Sequence, residues 1–181
     1  GFGSEETLPL TKLGASLWRL LREAEEVGLP LVTSGFGDLR IASQPARLSM
    51  DARADDAGGA VLVAGAGVGG SWVPAEDATL LGSPEHGVAL WDGPDEDATV
   101  TLAPLDRVPT PAVRELFTTG RRVTVPPEGM GDLLHTYLPR VRRLVEVTSR
   151  DDSVQVPEPP APHLVLAVTW VGGHEVRLSW S

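Results

Sequence analysis

The chain of 181 residues has no cysteine and a single lysine, Lys12. Without cysteine there is no disulfide framework and no thiolate zinc site, and the usage fits a reducing compartment, so the expected location is the cytoplasm. No apolar run approaches the roughly 20 residues needed to span a bilayer, and no signal-peptide pattern opens the sequence. A soluble protein without a membrane partner is expected.

Catalytic signatures are missing as well. A nucleotide triphosphatase needs a glycine-rich loop ending in Gly-Lys-Ser/Thr, because the lysine reaches the terminal phosphates. Lys12 stands between Thr11 and Leu13, in no such loop. There is no G-x-S-x-G elbow, and His86, His135, His163 and His174 are scattered without a metal-ligand spacing. Asp92, Asp95, Glu96 and Asp97 crowd a Gly-Pro turn but lack the EF-hand spacing. The chain alone is therefore expected to be no enzyme, with no cofactor and no metal.

One motif suggests a cofactor. AVLVAGAGVGGSW, residues 60–72, carries the spacing G-x-G-x-x-G through Gly65, Gly67 and Gly70 after a run of strand type, and Glu85 lies near the distance of a ribose-binding acid. That fingerprint holds a dinucleotide only when the glycines open a helix, whose N-terminus meets the pyrophosphate. Gly69-Gly70 and the Val73-Pro74 pair disfavour a helix there. The expectation is a strand entering a glycine loop, with a nucleotide-binding small-molecule enzyme as a remote alternative.

The chain is acidic, with formal charge −10, but unevenly so. Up to Thr110 there are 7 basic and 17 acidic residues, and from Pro111 onward 8 of each. Within 111–150 seven arginines face four acids. Arg121, Arg122, Arg140, Arg142 and Arg143, with Tyr137 close by, supply forked donors suited to phosphates and a ring able to stack on a base. These six are the candidate nucleic-acid-binding residues. The competing reading pairs the same arginines with the surplus acids of the first half, holding the two halves together.

Hydrophobic periodicity predicts a helix through LGASLWRLLREAEEVG, capped by Thr11, stopped by Gly28 and carrying an Arg22–Glu26 pair on its polar face. Short strands come next: LRIAS, ARLSMDAR with Leu48, Met50 and Ala52 inward, GAVLVAG, GVALW and ATVTLAPL, an antiparallel meander with turns at 55–59 and 92–94. Thr110 caps a second helix begun by Pro111 and ended by Gly120; a strand over 121–126 leads to a third helix over MGDLLHTYL, kinked or restarted at Pro139. Ser153–Val156 reads as a strand and PEPPAP as a stiff connector. The final hairpin, HLVLAVTWVGGHEVRLSW, sorts its apolar residues best with a three-residue loop through His174. The expected fold class is α+β, antiparallel sheets and hairpins with about three helices packed on them. Residues 1–7 are expected to be a remnant or linker, and 8–181 a single domain excised from a larger protein, with possible sub-lobes 8–110 and 111–181.

The run LLHTYLPRVRRLVEVTSRDDSVQVPEPPAPHLVLAVTW, with VTLAPLDRVP, TGRRVTVP and the closing VRLSW, resembles the region preceding the ATPase core in large bacterial superfamily 2 helicases, SNF2-like or DEAD/DEAH-box type, especially of actinobacteria and other high-GC bacteria. The similarity runs from about Leu39 to the end. It implies a noncatalytic accessory domain placed before the motor, with DNA, single- or double-stranded, and the helicase motor domain of the same polypeptide as partners. A protein-interaction or autoinhibitory module of the same helicase is the alternative. No motor motif has a counterpart here, so no catalytic residue is carried over from the resemblance.

Overall fold

The computed structural model describes residues 9–30, 37–94, 97–119, 121–156, 166–173 and 175–180. It is an α+β fold, as the sequence predicts, built on two mixed sheets and three helices.

The first sheet has the order β1-β7-β6-β5, with β1 Asp38–Ile41, β5 Ala78–Gly82, β6 Glu85–Asp92 and β7 Thr99–Pro104. The second has the order β4-β3-β2-β9, with β2 Arg47–Ala54, β3 Ala60–Val68, β4 Ser71–Pro74 and β9 Glu146–Thr148, and β8 Arg122–Val125 pairs with β3 beyond the end of β4. The meander is antiparallel where hairpins connect it, but β1 joins β7 and β9 joins β2 in parallel. β4, β5 and β9 are short elements absent from the sequence reading; their ladder partners are remote in sequence or their length is too small for a period to register. Because β8 and β9 enter the ladder of β2 and β3, the second sheet draws on both halves of the chain.

The strand alternation is realised. Leu48, Met50 and Ala52 are buried and oppose Ala66, Ala64 and Leu62. This apolar face meets the first sheet through Val88, Leu90 and Ala103, together with Val113 and Phe117 of α2 Pro111–Thr118. Farther along, it meets Leu133 and Leu138 of the third helical segment. The other face of the first sheet buries Leu81, Ala89 and Val100 under Leu10 and Trp18. The order of layers is thus N-terminal helix, first sheet, second sheet.

Local departures have local causes. α1 spans Ser16–Glu26 and starts without a side-chain cap, whereas Thr11 lies in a 3-10 turn, Leu10–Lys12. Leu13 is extended, and Gly14, costly in a first helical turn, comes directly after it, so Thr11 cannot cap this helix. Gly28 ends it at φ +69° as expected, while the ion pair that forms is Arg19–Glu23 at 2.9 Å. Thr110 caps α2, its hydroxyl accepting from Val113 N at 3.4 Å.

The third helix, α3, covers 130–141 and contains a π turn at Leu133–Tyr137, where Leu138 N donates to Leu133 O. The widened turn relieves the ring of Pro139, which has no N–H and would press on the carbonyl four residues earlier. Ser153–Val156 is not a strand: Ser153 N donates to the Asp151 carboxylate at 3.0 Å and Val154 N to Ser149 Oγ at 3.1 Å, so local side chains take the N–H groups a ladder would have used.

In the C-terminal hairpin, β10 Leu166–Gly172 and β11 Glu175–Trp180 pair Trp170 with Val176, Val168 with Leu178 and Leu166 with Trp180, the register expected of a three-residue loop, but a shift after Trp170 then pairs Gly172 with Glu175, so Gly172 belongs to the ladder and not to the loop. The connector 157–162, Gly120 and His174 lie outside the described residues. No helix among the described residues is long and apolar enough to cross a membrane.

Candidate nucleic-acid interface on the second sheet

The glycine motif resolves into a seat for a tryptophan. Gly69 and Gly70, at φ +57° and +91°, form a two-residue hairpin turn between Val68 and its partner Ser71, and the chain continues as β4 rather than as a helix. With two positive φ values this turn matches the right-handed twist of the strands. The backbone N–H fan of a helix N-terminus, which a dinucleotide needs, is therefore absent from this loop. Gly65 and Gly67 instead lie within β3, Gly67 opposite Trp72. A methyl group on Gly65 would overlap Trp72 Cζ2, so the indole lies directly on the glycine backbone.

Trp72 belongs to the second face of the second sheet. Strand alternation places Arg47, Ser49, Asp51 and Arg53 of β2 there, and the pairing adds Arg122 of β8 through Val63 and Glu146 of β9 through Ser49. Among the described residues none of the three core clusters draws on this face, although Ser49, Asp51 and Val63 on it are buried.

Its polar groups are organised around Asp51, which is 0 % exposed. The carboxylate accepts from Arg53 Nε at 2.5 Å and from Arg150 N at 2.9 Å. Both guanidiniums flank the indole, with Cζ 6.0 Å from the ring centroid for Arg53 and 5.6 Å for Arg150, within cation–π range. Trp72 Nε1 donates to Ser49 Oγ at 2.9 Å, which fixes the ring. Beside it opens a groove of about 490 Å³, whose lining includes Gln44, Arg47, Ser49, Trp72, Thr148 and Arg150, with Glu146 as its carboxylate.

The six predicted residues do not form one surface. Arg122 lies on this second face, paired with Val63. Arg121 is on the turn after α2, its Nε donating to Phe117 O at 3.1 Å. Tyr137, 57 % exposed, lines an apolar cleft of about 330 Å³ with Val123, Val125 and Leu133, on the side of the sheet covered by α3. Arg140 lies in the last turn of that helix and Arg142 and Arg143 follow it; Arg143 lines a small pocket with Asp106 and Arg107. Among the described residues none of these five arginines makes an ion pair.

Five acids of the first half, Glu23, Asp38, Asp51, Glu85 and Asp106, pair with other arginines. Arg114 Nη2 donates to Glu85 Oε2 at 2.7 Å, with Nε 2.7 Å from Oε1 in a charge contact off the hydrogen-bond angle. This pair joins α2 to β6 and is the inter-half contact that the competing reading anticipated, made by a different arginine.

Sequence reasoning missed Trp72, Arg53, Arg150 and Asp51. A signal existed: if Gly69-Gly70 is read as a two-residue turn, Trp72 falls opposite Gly67, and the polar positions of ARLSMDAR fall on the same face. Compared with family models, curated proteins and solved structures, the chain matches none.

Proposed function

We propose that this chain is a noncatalytic domain that contacts nucleic-acid backbone, an accessory domain of a bacterial superfamily 2 helicase or translocase. The observation that carries the binding reading is the set of solvent-accessible arginines that have no acidic partner among the described residues, Arg122 on the second face of the sheet and Arg140, Arg142 and Arg143 at the end of α3 and just after it. A guanidinium left in water is available to phosphate at little desolvation cost, and counterion release supplies the affinity.

The helicase parentage rests on the sequence resemblance. The coding sequence beyond Ser181 tests it: if no ATPase with a phosphate loop is encoded there, that parentage falls while the binding reading stands.

Fluorescence anisotropy of labelled oligonucleotides, single- and double-stranded, tests the binding itself. Affinity falling with salt is expected, with a log–log slope about 1 shallower for each phosphate-contacting arginine removed. Arg122→Ala and the triple Arg140/Arg142/Arg143→Ala variant tell which side of the sheet is used. No binding of either oligonucleotide at low salt refutes the reading. In that case the apolar cleft rimmed by Val123 and Tyr137, both well exposed, favours the protein-contacting or autoinhibitory module instead.

A further inference from the structure

We infer that the groove beside Trp72 is a single-strand site, in which an unstacked base stacks on the guanidinium of Arg150, itself laid over the Trp72 indole, while the sugar-phosphate chain runs past Arg47. This rests on the nucleic-acid reading above and names the form of nucleic acid. The floor of the groove is the first reason. Gly65 and Gly67 carry no side chains, so the indole sinks onto the strand and leaves a recess of about 490 Å³ in place of a filled surface.

The walls combine apolar groups with polar ones. Arg47 is 70 % exposed at its side chain, 3.7 Å from Asp106 in a loose pair, and Arg150 lines the same groove; Glu146 is the one carboxylate among the lining residues. Ser49, Thr148 and Gln44 add neutral hydrogen-bonding groups.

Trp72 is held rigidly by its bond to Ser49, and Arg53 is held by the buried Asp51, so a stacking partner would meet preorganised groups. In a duplex the base faces are closed by their neighbours; only a single strand can present one to an aromatic ring or a guanidinium plane.

The test uses the full chain with an oligothymidylate and a duplex of the same length, at low salt. Single strand is expected to bind about tenfold more tightly than duplex and to quench tryptophan emission. Trp72→Leu should abolish the quenching component of Trp72 and weaken single-strand binding about tenfold with duplex binding unchanged. Arg150→Gln, an exposed substitution that leaves Trp72 in place, should weaken single-strand binding in the same direction. Equal binding of the two forms, a duplex preference, or single-strand affinity untouched in both variants overturns the single-strand site and leaves the backbone-contact reading intact. Absence of any binding refutes both.

Discussion

Trp18 Nε1 donates to His86 Nδ1 at 2.9 Å, across 68 residues of sequence. The same imidazole donates through Nε2 to Leu13 O at 2.8 Å, which fixes the tautomer with the proton on Nε2. One ring thus ties both the start of α1 and the segment before it to the β5–β6 hairpin, and the two rings meet edge to face at 5.9 Å. Gly82 and Gly87 provide the space: a methyl on Gly82 would overlap the His86 ring and one on Gly87 the Trp18 ring. α1 has no fully buried residue, so this contact carries much of its attachment.

His86→Ala is therefore expected to loosen α1 from the sheet. Two lost hydrogen bonds at about 1 kcal/mol each give a destabilisation of about 2 kcal/mol, read as a lower denaturation midpoint. Amide hydrogen exchange should accelerate over 16–26 and remain slow in β2 and β3. Uniform acceleration across the chain would contradict a local role.

Gly65→Ala should be among the costliest single-methyl additions in the chain, because the new carbon meets the Trp72 ring, itself fixed by Ser49. Overpacking of this kind costs about 1–3 kcal/mol. Gly69→Ala meets no atom within 4 Å and suffers only its positive φ, a cost of about 1 kcal/mol. Thermal denaturation of the two variants should preserve that order.

Arg53→Ala removes the side-chain partner of the buried Asp51 carboxylate. Arg53 is itself half exposed, so the loss is smaller than for a fully buried pair, about 2 kcal/mol. The double variant Arg53→Ala with Asp51→Ala should be less unstable than the sum of the two singles, since the unpaired carboxylate is then gone; a double-mutant cycle by chemical denaturation measures the difference.

The Asp151 carboxyl is held below its ordinary value of 3.8, first by the Ser153 hydroxyl and then by the Ser153 backbone N–H, with Ser149 contributing. A lowered native pKa means the carboxylate stabilises the fold above the ordinary carboxyl range, and that contribution is lost as pH falls through the lowered value. Wild type should exceed Asp151→Ala in melting temperature at neutral pH, and the gap should close in acid below about 3.8. A gap independent of pH would rule out the carboxylate as its source.

Where an element is set by a pattern inside a short window, the sequence was sufficient. Thr110-Pro111 starts α2, Gly28 stops α1, the alternation of Leu48, Met50 and Ala52 marks an inward face, and the apolar sorting of the last hairpin sets its register. Each depends on capping, backbone steric limits or a two-residue period, all local quantities. Together they were enough for the α+β class.

Partners chosen from far along the chain were decided only by the tertiary structure. β9 is three residues long and becomes a strand because β2 offers it a parallel edge; β8 divides the edge of β3 with β4. That arrangement separates Arg122 from Arg140, Arg142 and Arg143, which are neighbours in sequence, and brings Arg53 and Arg150, 97 positions apart in numbering, to one indole. A cluster of charge along a chain fixes composition, but the face on which each charge emerges depends on strand register, and register is set by the burial of the opposite face.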